Sequence, residues 1–159
     1  ITACLGVSEE IFSKALLQFQ RPKHRIEWVA EIDLVTYYND SKASNVDAVV
    51  HAVSLCSGPI VLIAGGVDKG APYQPWIDTF GKKVKGIVVF GMAAEKMVRE
   101  LKETFFIQQV LHLKDAVQVA RQLASKGDTI LFSPGCSSYD QFANYEERGE
   151  AFRKIVQEG

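Results

Sequence analysis

The chain has 159 residues, 47% apolar and 23% charged, with a formal net charge of −1. That length fits one domain with its own core, and so balanced a charge offers no grip on nucleic acid or an acidic membrane surface. The longest apolar runs are strand-sized, far short of the roughly 20 residues that span a bilayer.

The N-terminus, Ile1-Thr2-Ala3-Cys4, has no initiator Met and no basic flank of a signal peptide, as a fragment or a processed chain would. Residues 8–19 then predict an amphipathic helix. Ser8 can cap it, Glu9 and Glu10 suit its positive end, and Ile11, Phe12, Ala15, Leu16 and Phe19 share a face. Residues 20–25 break the pattern, with Pro22 stopping any helix. This stretch reads either as the tail of a preceding domain with a hinge, or as a helix docked on the main domain. Residues 26–32 alternate, with Ile26, Trp28, Ala30 and Ile32 inward and Glu27 and Glu31 outward, a half-buried strand. Asp33-Leu34 is a poor turn signal, but the return run 35–38 predicts a hairpin.

A helix over 46–57 buries Val46, Val49, Val50 and Val53, and Gly58-Pro59 ends it. Residues 60–64 are continuously apolar, as strands covered on both faces are. A short helix at 75–80 precedes a strand at 87–90, a helix at 93–103 and a weaker strand at 107–110. Ala116, Val119, Ala120 and Leu123 line a further helix, and Gly127-Asp128 turns into a strand at 129–132. The last helix is expected at 140–157, with Phe142, Tyr145, Phe152 and Ile155 inward. Such alternation predicts an α/β fold: a mostly parallel sheet, helices on both faces and an N-terminal β-hairpin. Parallel strands would bring the polar turns 38–45, 64–70, 91–92 and 133–140 to one edge, where open α/β sheets bind ligands.

Several patterns narrow the chemistry. The glycine-rich turn 64–70 is not a Walker A loop, which needs Gly-x-x-x-x-Gly-Lys-Ser/Thr; here Lys69 precedes Gly70 and Ala71 follows. Lys69 is thus a compact ammonium on a flexible loop, suited to a carboxylate or phosphate, or else a surface Lys beside a turn. Ser44 and Asp47 have capping-box spacing, and a helix start can also present an anion site. Ser133, Cys136, Ser137 and Ser138 offer nucleophiles, though not in a Gly-x-Ser-x-Gly elbow. His24, His51 and His112 lack metal-ligand spacing, and His24-Arg25 falls in the expected hinge, within reach of a ligand on a neighbouring domain. Three cysteines, Cys4, Cys56 and Cys136, odd in number and far apart, argue against a disulfide framework and for a reducing, cytoplasmic setting.

Four stretches together carry a resemblance: Lys23-His24-Arg25, Asn39-Asp40-Ser41-Lys42-Ala43-Ser44-Asn45, Gly65-Gly66-Val67-Asp68-Lys69-Gly70, and the run from Ser133-Pro134-Gly135-Cys136 to Gln141-Phe142, continuing through Asn144 to Gly149. In order and spacing they resemble the C-terminal domain of the Mur ligases, in the D-glutamate-adding branch. The resemblance implies a Rossmann-like, amino-acid-binding domain over 21–159, with residues 1–20 the tail of a central ATPase domain on which it closes. It implies ATP and Mg2+, the latter held mainly by the central domain. The substrates would be D-glutamate and UDP-N-acetylmuramoyl-L-alanine, joined through an acyl phosphate in peptidoglycan synthesis by a cytoplasmic monomer. By position, Lys69, Ser44 and Ser138 would hold the D-glutamate carboxylates beside the Tyr145 ring, where a member of the family has Phe. His24, Arg25, Asp40 and Lys42 would face the nucleotide and the closed site, Asp40 on the ribose and Arg25 near the phosphates. Ser44 stands where Thr is common. The alternatives are a free-standing α/β module that binds a small anion, and the same domain of a folylpolyglutamate-type or other Mur-type ligase with another amino acid.

Overall fold

The computed structural model describes residues 6–18 and 22–159. Residues 1–5 and Phe19, Gln20 and Arg21 lie outside the described residues, and with them part of the expected hinge. In chain order the elements are α1 (Glu9–Gln18), β1 (Glu27–Ile32), β2 (Val35–Asn39), α2 (Val46–Leu55), β3 (Ile60–Gly65), α3 (Gln74–Phe80), β4 (Val84–Phe90), α4 (Ala94–Leu101), β5 (Ile107–Gln109), α5 (Leu113–Leu123), β6 (Thr129–Phe132) and α6 (Tyr145–Glu158). One six-stranded sheet has the order β1-β2-β6-β3-β4-β5. The β1–β2 hairpin is antiparallel and every other pairing is parallel.

The unbroken apolar run of β3 follows from its place inside the sheet. Ile60, Leu62 and Ala64 point into a core that includes Val49 and Val53 of α2, Trp76 of α3 and Met97 of α4. Val61 and Ile63 point the other way, to Ala116 and Val117 of α5 and Phe152 and Val156 of α6. A strand whose alternate residues enter two separate cores has no polar position to spare. Trp76, fully buried, ties α3 to α2 by donating its indole N–H to the Val46 carbonyl at 3.1 Å.

Three local expectations need correction. Trp28 is exposed rather than inward, because a bulge shifts the register between Trp28 and Ala30 and sends Val29 and Ala30 to the same core. The cap of α2 is Asn45, not Ser44: its side-chain oxygen accepts from the Ala48 amide at 2.8 Å. The last helix begins at Tyr145, not Asp140, since Asn144 caps it through the Glu147 amide at 2.7 Å. Ser8 does accept from the Ile11 amide at 3.3 Å, as a cap should, but no residue of α1 is buried. Among the described residues no helix is long and apolar enough to cross a membrane.

Candidate functional site

The four polar turns meet at the carboxyl edge of the sheet and are sewn to one another by main-chain hydrogen bonds. Asp40 donates its N–H to Phe132 O (2.7 Å), Gly135 to Ala43 O (2.9 Å) and Gly65 to Pro134 O (3.0 Å). Val67 and Ser137 exchange both bonds, and Ala93 donates to Gly66 O. Gly66 must be glycine: its φ is +127° and an added Cβ would strike the Ser137 carbonyl.

Beneath the seam lies Arg148 of α6, wholly buried. Its Nε donates to Ser41 Oγ (3.1 Å), one terminal nitrogen to Ser41 O (2.8 Å) and the other to Cys136 O (3.0 Å). Burial lowers its pKa to about 10, which leaves a cation at neutral pH. A single guanidinium therefore bolts the turn after β2 to the turn after β6. On sequence, Arg148 looks like one more charge among Glu146, Glu147 and Glu150; only its shared spacing with Phe152 and Ile155 hints that it faces inward.

His24 does not stand free in a hinge. It is 3% exposed, with Nδ1 2.9 Å from the Asn39 side-chain nitrogen and Nε2 3.7 Å from Glu150. A Cβ on Gly149 would collide with its ring. Asn39 also donates to the Gly149 carbonyl at 3.2 Å, so the strand end, the 22–25 segment and α6 are pinned together. The backbone here is unusual: His24 and Ile26 have φ of 59° and 47°, the left-handed region that side chains resist. Asp40 holds it so, accepting the Ile26 N–H at 3.2 Å, while Lys42 donates its N–H to His24 O at 3.0 Å. Between these two strained residues Arg25 projects, exposed.

Asp40 is 4% exposed and both its oxygens are engaged, Oδ1 by Ile26 and Oδ2 by the Ser133 hydroxyl at 2.7 Å. Burial pushes its carboxyl up to about 6, against those hydrogen bonds. Each oxygen keeps a further lone pair for a ligand. Arg25, Asp40 and Lys42 together line a cavity of about 580 Å³, closed on its other sides by Ile26, Tyr38 and His51 among others.

The second group of expected residues lies along the same edge. Lys69, exposed, donates to Ser44 Oγ at 3.2 Å and so spans two turns. Ser138, buried, follows the Val67–Ser137 bridge. Tyr145 opens α6, and the Lys42 ammonium sits 5.4 Å from its ring centre, which links the two groups. Cys136 is no nucleophile. It is fully buried, burial raises its pKa, and its sulfur lies 3.5 Å from the Tyr73 hydroxyl.

The sequence profile of the "Mur ligase, glutamate ligase domain" matches residues 24–136. The chain belongs to the Mur ligase family. Among its relatives is the UDP-N-acetylmuramoylalanine–D-glutamate ligase of Protochlamydia amoebophila, 45% identical over 98% of this chain and 35% of that protein. The protein of the same name from Caldanaerobacter subterraneus subsp. tengcongensis is 41% identical over 95% of this chain and 34% of that protein. The chain thus spans about a third of the length of the curated relatives it matches. Its fold also recurs in solved ligases. The UDP-N-acetylmuramate-alanine ligase of Thermotoga maritima aligns over 99% of this chain and 35% of that one, with a TM-score of 0.68 at 16% identity. The folylpolyglutamate synthase of Mycobacterium tuberculosis, solved with ADP and AMPPCP, aligns over 97% and 37% with a TM-score of 0.67 at 14% identity.

Proposed function

We propose that this chain is the C-terminal domain of an ATP-dependent ligase that joins D-glutamate to UDP-N-acetylmuramoyl-L-alanine in cytoplasmic peptidoglycan synthesis. In this reading residues 1–20 end the central ATPase domain and 21–159 form the amino-acid-binding domain of a monomeric enzyme. The observation that carries it is the pairing of two kinds of subsite on one edge. Lys69 and Ser44, 3.2 Å apart, suit a carboxylate. The neighbouring cavity, with Arg25, Lys42 and Asp40 in its wall, suits a nucleotide.

D-glutamate is a dicarboxylate. The Lys69 ammonium and the Ser44 and Ser138 hydroxyls would bind and orient it, with the Tyr145 ring as a wall. ATP supplies the phosphoryl group that turns the substrate carboxylate into an acyl phosphate. The D-glutamate nitrogen forms a bond to the acyl carbon and loses a proton; the carbon–oxygen bond to phosphate breaks, and phosphate leaves with the electron pair. Arg25 and Lys42 would offset the charge on the transferring and leaving phosphate, and Asp40 would meet the ribose. His24 serves by holding Arg25 in place. Mg2+ would accompany the ATP, held mainly by the central domain. Closure of the two domains would keep water from the acyl phosphate.

Lys69→Ala in the complete ligase tests the reading. Loss of one charge-assisted contact, about 1.5–3 kcal/mol, should weaken D-glutamate use roughly ten- to a hundredfold or somewhat more, with folding intact. Unchanged KM and kcat for D-glutamate would remove Lys69 from the site.

A further inference from the structure

We propose that Lys96 of α4 is a positioning residue for Lys69, and thereby for the amino-acid carboxylate; this rests on the reading of Lys69 above. Lys69 sits on an exposed loop beside Gly70, whose φ is +86° and whose surroundings are open. Left to itself such a loop would sample many conformations. It is not left to itself. The Lys96 ammonium donates to Asp68 Oδ2 at 2.9 Å and to the Ala71 carbonyl at 2.8 Å, gripping the chain on both sides of Lys69-Gly70.

The grip is anchored in the core. Asp68 Oδ2 also accepts the Gly70 amide at 3.0 Å, and Oδ1 accepts the hydroxyl of Tyr73, a fully buried residue, at 3.2 Å. The Tyr73 amide in turn donates to Glu100 of the same helix α4 at 3.0 Å. The Lys96 ammonium lies 5.3 Å from the Tyr73 ring centre. The Lys96 and Asp68 side chains are 22% and 27% exposed, so the pair is largely shielded from solvent and screens less than a surface bridge does.

Two consequences bear on the ligand. A loop ordered beforehand need not be ordered on binding, which favours affinity. The second is electrostatic. Asp68 is next to Lys69 in sequence, and an unpaired carboxylate there would compete with the ligand for the Lys69 ammonium. Lys96 occupies that carboxylate and leaves Lys69 reaching across to Ser44.

In the complete ligase, Lys96→Met should raise the KM for D-glutamate about tenfold, with the KM for ATP and for the UDP-sugar substrate unchanged. Lys96→Arg, which can still donate to both Asp68 and Ala71, should recover most of the loss. Because Lys96 acts through Lys69, the double variant Lys69→Ala/Lys96→Met should be no worse than Lys69→Ala alone. Effects that multiply in the double variant, or a Lys96→Met defect shared by all three substrates, would overturn the proposal and leave Lys96 a structural residue. A Lys69→Ala defect beside a wild-type Lys96→Met would overturn the positioning role alone. A wild-type Lys69→Ala would overturn the underlying reading and the positioning role with it. If Lys96→Met does not fold, Tyr73→Phe, which removes the hydroxyl shared by Asp68 and Cys136, should raise the same constant to a smaller degree, and a wild-type value would overturn the proposal.

Discussion

Asp40 joins stability and site in one side chain, and pH separates them. Burial raises its carboxyl from 3.8 to about 6, so between those values the folded chain holds the proton more tightly than the unfolded chain does. The stability that Asp40 contributes is therefore complete below its unfolded value and is lost as pH rises through the folded one. A shift of that size is worth about 3 kcal/mol. Asp40→Asn keeps an acceptor for the Ile26 amide and removes the titration. Relative to wild type, its stability should climb by up to about that amount from pH of about 4 to neutrality. Urea unfolding of both proteins across the range checks this; parallel curves would show that Asp40 carries no shifted titration. At this scale the sequence was legible where a residue's chemistry is local and opaque where burial decides it. Lys69, Ser44 and Lys42 lie on turns that could be read from the strand and helix pattern. Arg148 and His24 could not be placed, because a cation on a charged helix and a histidine in a linker look solvated until the chain folds over them.

The β1–β2 hairpin shows the same division one level up. Its existence followed from two apolar runs, and its turn is of the tight two-residue kind, with Asp33 and Leu34 at φ of 52° and 63°. Leu34 is 59% exposed and gains little from its side chain there. An L-residue in this conformation costs about 1–2 kcal/mol, partly offset in a glycine by the greater freedom of the unfolded chain. Leu34→Gly should thus stabilise the domain by about 1 kcal/mol, which thermal melting would register as a rise of about 2–4 °C. A lower melting temperature would mean that Leu34 makes a contact worth more than its strain. The strands and helices of the α/β layer were legible because two cores impose a period on nearly every element. Bulges and caps were not. The bulge beside Val29 inserts a residue that alternation cannot reveal, and Asn45 and Ser44 are equally good caps until the turn geometry chooses one.

On the scale of the whole molecule, Arg25 is an exposed cation at the rim of the Asp40–Lys42 cavity, between two residues in left-handed backbone. If it meets phosphate only when the domains close, its effect belongs to the closed state. Arg25→Ala in the complete ligase should then slow the chemical step more than it weakens nucleotide binding to the open form, and Arg25→Lys should rescue only in part, since it restores charge without the planar fork. Single-turnover acyl-phosphate formation beside direct nucleotide titration measures both; equal rates in all three proteins would make Arg25 a solvated linker residue. The strand order governs a different matter, the timing of assembly. β6 lies between β2 and β3 in space but follows both in the chain. While the polypeptide is being synthesised, β2 and β3 must wait with their facing edges unpaired until residues 129–132 have left the ribosome, and Arg148 emerges later still. The turns that form the ligand edge can be locked together only after that. Such long-range pairing folds slowly and leaves strand edges open to wrong partners in the interval, so the nascent domain depends on its last helix as a finishing clamp.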